Sequence, residues 1–126
     1  MNAPGTTLYG IRNCDTMKKA RAWLDANDVA YRFHDYKVDG IDAPSLAGWC
    51  AEAGWERVLN RSGTTFRKIV PDSERAGVDA AQAIALMLAH PSMIRRPVLR
   101  VGARLAVGFD ESAWRALFTQ ARTGEA

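Results

Sequence analysis

The sequence predicts an α/β fold: a mixed four-stranded sheet, βαβ then ββα, with a helical insertion between the two halves. Three observations predict it. A strand–helix–strand pattern occupies residues 7–34, and helical periodicity fills the stretch from Ala43 to about Pro91. After Pro97, two short strands joined by a tight turn lead into a last amphipathic helix. The 126 residues fit one domain, 1–126, with the insertion at about 42–95.

Thr7-Leu8-Tyr9-Gly10-Ile11 reads as a short buried strand. Arg12-Asn13-Cys14-Asp15-Thr16 follows, polar residues of the kind that cap and open helices. Met17, Ala20 and Leu24 then recur at helical spacing beside Trp23, while Lys18, Lys19 and Arg21 supply wet faces, and the helix is expected to end near Asn27. Val29, Tyr31 and Phe33 alternate with Ala30, Arg32 and His34, the period of a second strand. Short joints in a strand–helix–strand unit make its two strands parallel. In the insertion, Leu46, Trp49 and Cys50 share a face, with Trp55, Val58 and Leu59 after them. Asp79 with Gln82 three residues on is a capping-box pattern ahead of Ile84, Met87 and Leu88. Val98–Val101 and Arg104–Val107 flank Gly102-Ala103, a Gly-X pair suited to a tight hairpin. Asp110 then caps a helix carrying Trp114, Leu117, Phe118 and Ala121 on one side. This order matches a thioredoxin-like layout carrying an insertion. The tail, residues 123–126, is expected to fray.

Composition excludes several classes of function. With 48% hydrophobic and 25% charged residues the chain is ordinary globular material, and no run approaches the roughly 18 apolar residues of a membrane span. Met1-Asn2-Ala3-Pro4-Gly5 lacks the basic and apolar segments of a secretory signal, so a cytoplasmic location without a membrane partner is expected. The net charge of +3 is dispersed with no basic run, which argues against direct nucleic-acid binding and leaves room for an anionic small-molecule site. Two cysteines, Cys14 and Cys50, with His34 and His90 scattered elsewhere, give neither a disulfide framework nor a metal-ligand spacing, so no metal is expected.

Cys14 stands where the first strand has ended and the first helix begins. Free backbone N–H groups and the positive end of the helix dipole lower the free energy of a thiolate there. Arg12 and Lys18 add positive charge, Lys18 one turn on along the same helical face. The placement favours a reactive thiol over a cysteine that only packs. Cys50, amid Leu46-Ala47-Gly48-Trp49-Cys50-Ala51, reads as core packing. A dithiol oxidoreductase would carry a cysteine at position 17, where Met17 stands. The spacing argues against a cysteine-phosphatase loop, because the residues between Cys14 and Arg21 already show helical spacing and contain no glycine. Arg61 lies in a polar turn within Leu59-Asn60-Arg61-Ser62-Gly63-Thr64-Thr65-Phe66-Arg67. Arg95 and Arg96 precede Pro97, whose cis or trans state the sequence leaves open.

Three blocks of sequence, taken together, resemble the ArsC-like family of thioredoxin-fold proteins, within the wider arsenate reductase and Spx group, and most closely its YffB subgroup. They are Tyr9-Gly10-Ile11-Arg12-Asn13-Cys14-Asp15-Thr16-Met17-Lys18-Lys19-Ala20-Arg21, Leu59-Asn60-Arg61, and His90-Pro91-Ser92-Met93-Ile94-Arg95-Arg96-Pro97-Val98; Gly108-Phe109 with the following Asp-Glu completes the pattern. The resemblance implies that Cys14 is the catalytic cysteine, that Arg61 and Arg96 hold an oxyanion or carboxylate, and that Pro97 is a cis-proline beside the cysteine. Arg12, Asn13 and Lys18 are expected to help hold the thiolate or the substrate. Glutathione is implied as co-substrate, with no tightly bound cofactor, glutaredoxin as a further partner, and an anionic or disulfide small molecule as substrate. Two departures stand out: Val107 occupies the region where arsenate reductases carry a third arginine, and Asp15-Thr16-Met17 replaces their Gly-Thr-Ser. Both favour a glutathione-dependent thiol reductase over a glutaredoxin-coupled arsenate reductase. A further alternative is an Spx-like regulator that binds RNA polymerase, although Met17 removes the Cys-x-x-Cys switch those proteins often carry.

Overall fold

A computed structural model describes residues 5–122; residues 1–4 and 123–126, the latter being the tail expected to fray, lie outside the described residues. In chain order the elements are β1 (Thr6–Gly10), α1 (Asp15–Ala26), β2 (Arg32–Asp35), α2 (Tyr36–Asp39), α3 (Ala43–Ala53), α4 (Trp55–Val58), α5 (Thr64–Ile69), α6 (Asp72–Arg75) and α7 (Ala80–Ala89). A 3₁₀ turn (Pro91–Met93), β3 (Val98–Val101), β4 (Arg104–Val107) and α8 (Glu111–Arg122) complete the chain. Gly40–Arg95 forms one compact unit, and the segments before and after it form the other.

The sheet unit carries strands in the order β2-β1-β3-β4. β1 and β2 run parallel, with Leu8 opposite Phe33, and the other pairs are antiparallel, with Tyr9 opposite Val98 and Leu99 opposite Ala106. Leu8, Leu99 and Val101 point to the face on which α1 and α8 pack through Met17, Ala20, Leu24, Trp114 and Phe118. Burying an aliphatic or aromatic side chain of this size contributes about 1.5–3 kcal/mol. Trp23 meets Trp114 edge-on at 5.8 Å and Phe118 at 5.9 Å, the geometry aromatic quadrupoles favour. Of the expected α8 stripe, Trp114, Leu117 and Phe118 are buried, and the side chain of Ala121 lies outside the described residues.

The second strand is shorter than the alternation predicts. Asp28 adopts φ 56°, its N–H donates to the Asp25 carbonyl at 3.1 Å, and the N–H of Val29 donates to the Leu24 carbonyl at 3.0 Å. This is a Schellman ending, with an aspartate in place of the usual glycine and Val29 packed in the same core as Leu24. Val29 is therefore held by the helix terminus, and β2 begins only at Arg32. The hairpin forms as expected: Gly102, at φ 58°, supplies the positive φ of the first turn position, and Val101 faces Arg104.

In the helical unit, Asp42 caps α3 by accepting the Ser45 N–H at 2.8 Å, and Asp79 and Gln82 form the expected capping box on α7. α7 buries Ala83 and Met87, whereas Leu88 is 38% exposed, so the apolar face is rotated from the one expected. α3 packs against α7, and the small Ala83 side chain suits a close approach. The segment expected as a polar turn around Arg61 becomes helical from Thr64. A β-bridge between Leu59 and Ile94, flanked by Asn60 N–H to Met93 carbonyl and Arg95 N–H to Val58 carbonyl bonds of 2.8 Å each, ties this turn to the end of the unit. Among the described residues no helix is long and apolar enough to cross a membrane.

Candidate active site

Cys14 is the N-cap residue of α1, in extended conformation (φ −144°, ψ 134°), and its carbonyl accepts the first intrahelical bond, from the Lys18 N–H at 3.0 Å. An N-cap residue faces the unpaired N–H groups of the first helical turn. The Cys14 sulfur makes no capping hydrogen bond of the serine or aspartate kind, and the backbone N–H groups act on it by their proximity. Partial burial of the sulfur opposes ionisation, yet the backbone N–H groups of Met17 and Thr16, together with the charge and a side-chain hydrogen bond of Arg96, outweigh it and hold the thiol below its ordinary value. Burial alone acts on Cys50, and it pushes that thiol up.

The sheet brings Arg96 to Cys14. β3 runs antiparallel to β1, so the start of β3 lies beside the end of β1, with Val98 opposite Tyr9. Arg96 and Pro97 immediately precede Val98, and Cys14 follows the end of β1 by four residues. The Arg96–Pro97 peptide is cis, and the buried Pro97 accepts the Gly108 N–H through its carbonyl at 2.7 Å. Cys14, Arg96 and Pro97 thus form one cluster at the end of the sheet.

The other expected residues fall differently. Arg12 is two-thirds exposed and directed to Asp35, with Nε 3.9 Å from the carboxylate and Cζ 5.9 Å from the centre of the Phe33 ring. Asn13 and Lys18 are exposed. The groups that hold the Cys14 thiolate down are the N–H groups and Arg96; the charges of Arg12 and Lys18 are not among them. Arg61 belongs to the helical unit, where it lies over the Trp55 ring at 5.6 Å and lines a pocket with Arg75, Arg95 and Phe66.

One neighbour of the cluster, Tyr36, belongs to none of the sequence motifs. Tyr36 is 2% exposed, and its ring centre lies 6.3 Å from that of His34, which lies 5.0 Å from that of Tyr9. Burial pushes the Tyr36 hydroxyl strongly upward, opposed by the Arg96 charge, so Tyr36 stays a neutral phenol. Asp35, also buried, accepts the Lys37 N–H at 2.9 Å. The alternation of β2 marks which residues turn inward, and an inward aspartate directly followed by tyrosine was the available signal. Among the described residues no cluster of histidine, cysteine, aspartate and glutamate is fit to hold a metal ion.

Val107 stands in the region where the resemblance implies a third arginine in arsenate reductases. It is 4% exposed and pairs with Val98 in the sheet. That position therefore presents a buried aliphatic side chain and no cation.

A thioredoxin-like sheet that sets a helix-capping cysteine beside an arginine and a cis-proline defines a thiol-bearing α/β protein of the oxidoreductase type. Residues 9–117 match the ArsC family, and the chain belongs to it. A solved structure described as a YffB protein is 59% identical, covers 90% of this chain and 98% of its own, and superposes with a TM-score of 0.85. A second, described as an arsenate reductase (ArsC) related protein from Brucella melitensis, is 51% identical over 94% of this chain and 98% of its own, with a TM-score of 0.77. Among curated relatives, an uncharacterized protein of Haemophilus influenzae is 34% identical over 89% of this chain and 97% of its own length. The global transcriptional regulator Spx of Streptococcus mutans is 30% identical over 87% of this chain and 80% of its own. Family and site together support a thiol-dependent reductase.

Proposed function

We propose that this protein is a glutathione-dependent thiol reductase working through Cys14 alone. The observation that carries the reading is the thiolate environment of Cys14: two helix N–H groups and Arg96 around the sulfur. The fully buried Met17 stands where a resolving cysteine would be. The Cys14 thiolate attacks one sulfur of a substrate disulfide, forming a mixed disulfide and expelling the other half as a thiolate, which takes a proton from water. A glutathione thiolate then attacks that mixed disulfide at the Cys14 sulfur, releasing the substrate thiol and leaving glutathione on Cys14. A second glutathione thiolate restores Cys14 and leaves as oxidised glutathione. Two electrons pass from two glutathiones to one disulfide. Arg96 orients a carboxylate of glutathione, for which the planar guanidinium fork is suited, and the family resemblance offers Arg61 as a second such ligand.

The Brucella relative's description favours arsenate as a second substrate class. Both readings are tested together: turnover of a small disulfide with glutathione, followed by formation of oxidised glutathione, beside arsenite release from arsenate plus glutathione, with and without glutaredoxin. The expected result is disulfide turnover that Cys14→Ser abolishes, with little arsenite. Arsenite as the dominant product would make arsenate reduction the activity. Binding adds a check: Arg61→Ala and Arg96→Ala are each expected to weaken glutathione by about 1–3 kcal/mol in calorimetric titration, with Arg96→Lys recovering only part. Unchanged affinity in both alanine variants would remove these arginines from the site.

A further inference from the structure

Resting on the reading of Cys14 as a thiol–disulfide exchange nucleophile, we propose that the flank formed by α1 and β2 is a docking strip for an acidic polypeptide segment. The disulfides this protein reduces are, on this account, carried on such segments.

Cys14, Lys18 and Arg21 fall at i, i+4 and i+7 on one helical face, and Arg12 stands in the loop beside Cys14. The way the arginines are anchored is the informative feature. Arg21 lies over the Phe33 ring with Cζ 4.4 Å from its centre, and its Nε donates to the Tyr31 hydroxyl at 2.9 Å. Arg12 lies 5.9 Å from the centre of the same ring. Two guanidiniums therefore lie against one aromatic side chain, and neither Arg21 nor Lys18 makes an ion pair among the described residues. An arginine fixed through a ring face and its Nε keeps its terminal N–H groups in a plane suited to a carboxylate. Like charges held around one ring also repel, and an anion between them relieves that repulsion. The strip is bounded: Asp25 closes the same helical face one turn beyond Arg21, and Asp35 takes up part of the Arg12 charge.

Length selects the kind of ligand. Arg21 lies about 10 Å along the helix axis from Cys14, roughly three extended residues. Glutathione with its sulfur at Cys14 has one residue on either side, the longer being the γ-linked glutamate whose carboxylate reaches about 7 Å from the cysteine, and it stops short of the far end. A polypeptide with acidic residues two to four positions from its cysteine reaches all of it.

The test uses synthetic peptides with one cysteine flanked on both sides by glutamates at those positions, and matched peptides with glutamines instead. Each is supplied as a mixed disulfide with mercaptoethanol. In a Cys50→Ala background, the Cys14 thiolate forms a new disulfide to the peptide sulfur while mercaptoethanol leaves as a thiolate, and intact mass gives the rate constant. At low salt the acidic peptide is expected to react about tenfold faster than the neutral one, and high salt is expected to erase the preference. Arg21→Glu and the milder Arg21→Gln are both expected to bring the ratio towards one. Lys68→Glu, which changes net charge as much as Arg21→Glu at an exposed position of α5, is expected to keep it. Equal rates for the two peptides, an unchanged ratio in both Arg21 variants, or an equal loss in Lys68→Glu would overturn the strip. Failure of both peptides to react would instead overturn the reading of Cys14 on which the strip rests.

Discussion

At Cys14 burial works against the anion, and the thiol is nevertheless held below its ordinary 9.0 because N–H groups and a guanidinium converge on one sulfur. Cys50 has burial without those donors and moves the other way. Alkylation followed against pH is therefore expected to give Cys14 a half-maximal rate below pH 9 and Cys50 one above it. Arg96→Ala is expected to shift the Cys14 midpoint upward, and an unmoved midpoint would remove Arg96 from the thiolate. The sign for stability follows. A depressed acid stabilises the fold above its unfolded pKa and loses that contribution as pH falls through the folded one. At this scale the sequence located the cysteine, because a strand followed by polar residues and a helical period is enough to place an N-cap. It did not locate the partners of Arg12. Asp35 and Phe33 reach that side chain only through the parallel pairing of β1 and β2, which spacing along the chain does not encode.

Between β1 and α1, a Cβ on Gly10 would lie 2.4 Å from Met17 Sδ, so the helix that carries Cys14 is seated against bare backbone. Met17 is fully buried, and a close-packed interior leaves few voids into which its thioether can swing. Met17→Ala is expected to lower unfolding free energy by about 2–5 kcal/mol in denaturant titration. Gly10→Ala is expected to cost about 1–3 kcal/mol through overpacking. A loss below 1 kcal/mol in both would show that this contact does not seat the helix. Met17 and Ala20 were legible from their period, and the capping box on α7 from its two residues. The Schellman ending was not, because an aspartate at positive φ leaves no glycine to mark it, and Val29 then imitates a strand residue. On α7 the burial of Met87 was legible, whereas the packed face takes the small Ala83 beside it and leaves the larger Leu88 38% exposed.

For the whole molecule, the order βαβ, helices, ββα was visible because each element carries its own period and the turns carry their own residues. What sequence alone could not supply was convergence: Arg96 is 82 positions from Cys14 and meets it only because β3 pairs with β1. The central claim is that this convergence makes Cys14, and no other residue, the group that exchanges with glutathione. The direct measurement is intact mass and peptide mapping after exposure to oxidised glutathione at neutral pH, for the wild type, Cys14→Ser and Cys50→Ala. One glutathione on Cys14 in the wild type and in Cys50→Ala, removed by excess reduced glutathione and absent from Cys14→Ser, is the expected result. An unmodified Cys14, or an adduct on Cys50 that persists in Cys14→Ser, would contradict the account.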